Sequence, residues 1–148
     1  MGTEVKRNTE LAIIGCLSTN PTLTGKTFLP TRGGGDTAKE AGPVPPFGIV
    51  NIEEAEKTHP LSRTWQLKGS VIWVTKLEAT TAPDHASTVK LIEEALLAIT
   101  GGYDTLRSMR VHGLEIENVS DFDDQERRSH GDVLTFSMGV SEGIVNGS

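Results

Sequence analysis

The most chemically dense part of this chain is the stretch SDFDDQERRSHGDV, Ser120 to Val133, which carries five carboxyl groups, two arginines and a histidine. Carboxyl groups and a histidine this close together could bind a divalent cation or transfer protons. They could equally form a solvated surface that contacts another chain. Each kind of chemistry requires particular residues at particular positions, and these requirements can be tested against the sequence.

The stretch fails the requirements of the familiar metal sites. With Asp121 and Asp123 as the first and third residues of a calcium loop, Glu126 would occupy the sixth position, where glycine is needed, and Asp132 would replace the final glutamate. Strand-like sequences flank the stretch, whereas a calcium loop lies between helices. A hydrolytic metal centre needs carboxylates from different elements, and these are expected to point in several directions from one loop. We therefore predict a charged hairpin tip.

A second candidate is the phosphate-binding ending Gly25-Lys26-Thr27. A nucleotide-binding loop needs another glycine five residues before Gly25, a strand in front and a helix behind. Position 20 is Asn20, a helical pattern precedes it, and Pro30 follows shortly after. These departures exclude the motif.

The remaining reactive side chains form no recognisable constellation. The four histidines are His59, His85, His112 and His130, and no pair has the i, i+4 spacing of a zinc site, so each is interpreted as incidental. Cys16 lies in an apolar helical stretch and is interpreted as a small buried hydrophobe. No nucleophile elbow supports a Ser-His-Asp triad. We assign no catalytic, cofactor-binding or metal-binding residue from the sequence, and expect no cofactor.

Composition narrows the class of protein further. The chain has 148 residues and a net charge of −6, which argues against a protein that wraps nucleic acid. Its polar amino terminus and the lack of an apolar run of about 18 residues predict a soluble chain with no membrane span. A length of this order is typical of one domain, so we expect a single domain over residues 1–148.

The first third of the sequence predicts a helix and then an irregular segment. Apolar or neutral residues recur at spacings of three and four between Val5 and Leu17, and Leu11 and Ile14 widen this face. Residues 20–46 contain five of the seven prolines and a triple glycine, which predicts a long arm. Arg32 and Asp36 flank the glycines. Their bare backbone could approach an anion, but a hinge fits better because no helix start follows.

The rest of the chain predicts strands and a second helix. Strand patterns cover Phe47 to Ile52, Trp65 to Leu77, Met109 to Val119 (with a bulge at Gly113) and Val133 to Val140; a helix with a buried stripe at Val89, Ile92, Ala95, Leu96 and Ile99 lies between the two pairs. The predicted order is helix, arm, two strands, helix, two strands. This is an α+β fold, with a small, mostly antiparallel sheet covered by two helices.

The succession of elements resembles the tail terminator, or tail-completion, proteins of long-tailed bacteriophages. The resemblance covers about two-thirds of the chain and rests on a first helix, a Pro-led strand PFGIVNI, a long strand ending in VIWV, a helix ASTVKLIEEALLAI, a strand carrying LEIENVSDFDD, and the final HGDVLTFSMGV. The long Gly/Pro arm departs from the family pattern.

The resemblance implies a structural role without an enzymatic step. Tail terminators form hexameric rings that cap the tail tube and join it to the head connector at the neck, and DNA passes through the lumen without sequence-specific binding. It implies a virion location at the head-proximal end of the tail, after synthesis in the host cytoplasm. We predict contacts between chains at Arg32, Asp36, Asp121, Asp123, Asp124, Glu126, Arg127 and Arg128.

Two alternatives remain open at this point. One is another neck component or a tail-tube protein. The other is a small α+β enzyme or a metal- or ligand-binding domain, with a pocket between the long strand and the second helix that would use Asp121, Asp123 or His130.

Overall fold

The computed structural model describes residues 2–30, 46–58, 64–76, 82–99, 109–126 and 128–142. Two helices and five strands account for most of them: α1 (Gly2–Thr19), β1 (Phe28–Pro30), β2 (Phe47–Lys57), β3 (Thr64–Lys76), α2 (Ala82–Leu97), β4 (Met109–Asp124) and β5 (Ser129–Glu142). The predicted α+β class and the order of the elements are confirmed. None of the helices within the described ranges combines the length and the apolar character needed to cross a membrane.

The five strands form one sheet in the order β1-β2-β3-β5-β4. All neighbouring strands are antiparallel except β1 and β2, which run parallel over three residue pairs. Two strands therefore lie at the edges. β1 is a short edge of three residues, and β4 is a long edge of sixteen residues.

The hydrophobic core lies between the two helices and one face of the sheet. Alternate residues of β3 and β5 point into it, as strand geometry requires, and the helical stripes predicted from the sequence cover them. Trp73 and Phe28 pack with ring centroids 5.6 Å apart, and both rings lie where a side chain at Gly48 would otherwise stand. Leu11 was expected to widen the apolar face of α1 but is exposed.

The opposite face of the sheet also carries apolar side chains. Ile49 and Ile72 are paired across β2 and β3 and are half-buried, and Phe47 lies opposite the buried Val74. Phe122 of β4 packs over Gly131 of β5, and its ring occupies the space that a Cβ atom would need there.

The segment predicted as an arm begins with ordered structure. Asn20 caps a short 3-10 helix, Pro21–Leu23, by accepting a hydrogen bond from Thr22 N at 2.9 Å, and Leu23 is fully buried. β1 follows at Phe28–Pro30 and pairs with β2. Residues 20–30 of the predicted arm therefore include a 3-10 helix and a strand. Residues 31–45, which include Arg32 and Asp36, lie outside the described residues.

The charged stretch is mostly strand, which corrects its interpretation as a loop. β4 continues to Asp124 and β5 begins at Ser129, and these two residues are the last pair of the ladder. Only four residues make the connection, and Arg128 adopts a left-handed conformation with φ of 54°. The ladder hydrogen bonds extend through residues whose polarity suggested a loop. The bulge expected at Gly113 is present, with a second irregularity between Ile116 and Asn118.

Candidate functional site

Polar side chains converge where the first turn of α2 lies over β3, β5 and β4. In the strand register Thr75 lies beside His130, and His130 lies beside Asp123. In the next row Asp132 lies between Trp73 and Asp121. Since Trp73 is a core residue, both rows face the helices, and α2 brings His85 down onto them.

His85 links the helix to two strands. Its Nδ1 atom is 2.9 Å from Thr75 Oγ1 on β3, and its Nε2 atom is 2.9 Å from Asp132 Oδ1 on β5. His85 and Thr75 are both buried, at 4% exposure each, so these polar atoms depend on each other for partners. The first turn of α2 is thereby tied to the sheet.

His130 contacts the same aspartate from the other side. Its Nε2 atom is 3.4 Å from Asp132 Oδ1, and its Nδ1 atom is 2.5 Å from Asp123 Oδ1 on β4. The two imidazole rings lie with centroids 4.6 Å apart and are tilted by 58°. Asp132 Oδ1 therefore contacts one nitrogen of each ring. The second nitrogen contacts Thr75 Oγ1 in His85 and Asp123 Oδ1 in His130.

A pocket of about 340 Å³ opens beside this cluster. It is lined by His85, Ala86, Val119, Ser120, Asp121, His130 and Asp132. The pocket lies between the start of α2 and strands β4 and β5. β3 contributes Thr75, which contacts His85, to the hydrogen-bond network beside the pocket. The two imidazoles and two carboxyl groups at its wall could hold a cation or relay a proton.

The residues predicted for interaction are distributed around the turn. Asp121 lines the pocket, Asp123 bonds His130, Asp124 is half-buried, and Glu126 and Arg128 are exposed. Arg127, like the two residues of the glycine segment, lies outside the described residues.

Two members of the cluster, His85 and Asp132, were not singled out from the sequence. One usable signal existed: in a strand, the alternating pair His130 and Asp132 must share a face. The loop interpretation concealed it. His85 is 45 positions earlier, and only the fold brings it to the same place.

Cys16 is a further reactive side chain, and it lies on α1, apart from the cluster. Its side chain is half-buried against the core. Burial raises the pKa of the Cys16 thiol above its ordinary value, which keeps the thiol protonated near neutral pH. A protonated thiol is a poor nucleophile, which favours the interpretation of Cys16 as a packing residue.

No protein-family model matches the sequence, and no curated protein matches it either. A solved structure shares the fold. It is a chain in a structure described as the virion of a native gene transfer agent (GTA) particle, with a TM-score of 0.60 and 14% sequence identity. The match covers 89% of this chain and 93% of that chain. At this identity the likeness concerns the fold, and it extends over nearly all of both chains.

Proposed function

We propose that this chain is a structural subunit of a phage-type virion, and specifically a tail terminator that forms a ring at the head-proximal end of the tail. The observation that carries the proposal is the fold shared, over nearly the whole length of both chains, with a component of a GTA virion. The order of elements supports the finer assignment, because it resembles that of tail terminator proteins. In this role the protein assembles and performs no enzymatic step.

The two different edges of the sheet suit a ring. Each contact in a cyclic ring joins one surface to a different surface of the next copy. Here β4 is a long edge and β1 a short one on the far side of the sheet. The β4 edge of one subunit could contact the β1 side of a second subunit, and the β4 edge of the second would then contact a third.

The β4 edge and the α1 side of the sheet differ in charge. Residues 114–126 contain six carboxyl groups and no lysine or arginine. On the far side α1 packs over β1 and β2 and carries Lys6 and Arg7, of which Arg7 is exposed. We propose that the acidic β4 edge of one subunit faces Lys6 and Arg7 on α1 of its neighbour, which would fix the register between them.

Apolar exposure at the same edge adds contact area. Val119 is 42% exposed and Phe122 is 40% exposed, and both belong to β4. Acidic side chains beside them discourage uncontrolled pairing of the free edge, as charged residues do on other edge strands. A neighbouring subunit could bury both apolar side chains.

The proposed partners are further copies of this chain, most simply six, the tail-tube protein below the ring and the connector or neck protein above it. The net charge of −6 fits a lumen through which DNA passes without adhering. A ring whose lumen is lined with Lys and Arg would contradict this part of the proposal.

Genetic depletion tests the proposal. Particles should be produced from a genome in which the coding region of this chain is deleted, with and without the chain supplied in trans. We expect unjoined heads and tails without it and restored particles with it. Intact, infectious particles formed in its absence would overturn the proposal. If heads form but no tail tubes are found, either attached or free, the result would instead support the tail-tube alternative.

A further inference from the structure

We propose that His85 Nε2, His130 Nε2 and Asp132 Oδ1 form a binding site for a divalent zinc-class cation. Each of these three residues places one potential ligand atom within 4.8 Å of the others. They come from α2 and β5, so a bound ion would join the helix to the sheet. This inference does not depend on the proposed virion role.

Two of the distances lie near the spacing of a tetrahedral site. Zinc bound to nitrogen and oxygen at about 2.1 Å has ligand atoms roughly 3.4 Å apart. His130 Nε2 and Asp132 Oδ1 are 3.4 Å apart, and His85 Nε2 and Asp132 Oδ1 are 2.9 Å apart. Small rotations of the side chains would therefore accommodate an ion between them.

The outer nitrogens are held as they are in known zinc sites. A histidine that binds a metal through one nitrogen usually donates a hydrogen bond from the other to a carboxyl or another oxygen. His85 Nδ1 has Thr75 Oγ1 at 2.9 Å, and His130 Nδ1 has Asp123 Oδ1 at 2.5 Å. These two contacts turn both Nε2 atoms towards Asp132.

The donor and acceptor count around a neutral His130 also favours a cation. A neutral His130 that donates from Nδ1 to Asp123 presents the lone pair of Nε2 to Asp132 Oδ1, which is itself an acceptor. A cation between the two converts this repulsion into coordination. The charges of Asp123 and Asp132 then balance a divalent ion. A doubly protonated His130 would satisfy both carboxyl groups without metal, and the experiment below separates the two cases.

The ligand types select the class of ion. Two imidazoles and one carboxyl oxygen suit zinc and its first-row neighbours better than magnesium or calcium, which prefer oxygen ligands throughout. The pocket of about 340 Å³ borders His130 and Asp132. It provides room for a fourth ligand such as water, or a group from a neighbouring chain.

The site can be tested by calorimetric titration with Zn²⁺. The full chain is prepared without a polyhistidine tag and freed of metal before the titration. We expect one zinc per chain with micromolar or tighter affinity. Asp132→Asn and His130→Gln should each weaken binding at least tenfold, and Asp123→Asn should weaken it about 10- to 100-fold by removing the support of His130. Asp84→Asn, an exposed carboxyl next to His85, is the matched control and should bind like the parent chain.

Co²⁺ provides a readout that does not require the variants to fold. The unaltered chain should develop the visible absorption of four-coordinate cobalt, and one equivalent of Zn²⁺ should abolish it. Absence of this absorption, or no zinc binding by the parent chain, would overturn the proposal and leave a metal-free hydrogen-bonded network. Parent-like zinc affinity in folded Asp132→Asn and His130→Gln would overturn it as well.

Discussion

Glu10 of α1 is fully buried, and its Oε2 atom accepts a hydrogen bond from the backbone N–H of Ile52 on β2 at 2.9 Å. The contact falls at an irregularity in the pairing of β2 with β3, between Ile52 and Glu54. A bulge interrupts ladder hydrogen bonds, and a buried N–H group needs another partner. The carboxyl group of Glu10 supplies that partner and so ties α1 to the sheet.

Replacement of Glu10 should therefore destabilise the fold. We expect Glu10→Ala to lower the free energy of unfolding by about 1–3 kcal/mol, because it leaves the buried Ile52 N–H without this acceptor. Urea denaturation followed by circular dichroism measures the change. Glu94→Ala, at an exposed position of α2, is the control and should differ little from the parent. Equal stability of the Glu10 and Glu94 variants would show that the contact contributes nothing.

Two glycine-to-alanine changes should act in opposite directions. A methyl group at Gly69 would collide with Asn51 O and Ile52 Cδ1 beside the same bulge, so we expect Gly69→Ala to cost about 1–3 kcal/mol. Gly15 lies in α1 with open space around it, and Gly15→Ala should stabilise the helix by about 0.5–1 kcal/mol. Thermal melts of both variants provide the comparison. A tolerated Gly69→Ala would mean that β2 and β3 are less tightly paired than the structure indicates.

Cys16 should react slowly. Because burial raises the pKa of its thiol, the reactive thiolate is scarcer at neutral pH than in a free cysteine, and access is also restricted. Alkylation by iodoacetamide at pH 7.5, followed by mass spectrometry, should be at least about tenfold slower in the native chain than in urea. The rate should increase as the pH rises towards the raised pKa. Identical native and denatured rates would contradict the burial of Cys16.

The acidic β4 edge should matter for assembly and little for folding. We expect Glu115→Lys with Glu117→Lys to weaken association between subunits about tenfold or more, since it places positive charges against Lys6 and Arg7 of the neighbour. The control is Glu93→Lys with Glu94→Lys, which makes the same change of charge on α2, away from both sheet edges. Analytical ultracentrifugation under assembly conditions gives the comparison. Equal effects of the two double variants would remove β4 from the proposed interface.

The elements with strong periodicity were predictable from the sequence, and those governed by long-range pairing were not. The stripe from Val89 to Ile99 identified α2 because its apolar residues recur at helical spacing and are buried. β1 was missed because three residues ending in Pro30 give no periodic signal and are held by pairing with β2. The charged end of the hairpin was misread because cross-strand pairing overrode the local polarity of Asp121, Asp123 and Asp124.

The cluster of His85, His130 and Asp132 could not be predicted from the sequence for a related reason. His130 and Asp132 share a face only once the segment is a strand, and His85 reaches them only through the packing of α2 on the sheet. Neither relation is encoded in a short motif. By contrast, the failure of the calcium-loop and phosphate-loop patterns could be established from single positions such as Glu126 and Asn20.

The most direct test of the proposed role is a cryo-electron microscopy map of the head–tail junction of the particle in which we propose that this chain is a subunit. The account predicts a closed ring at the end of the tail tube, six copies in all, into which this fold fits with β4 of each subunit against the α1 and β1 side of the next. A junction resolved to side-chain detail that contains no copy of this fold would contradict it.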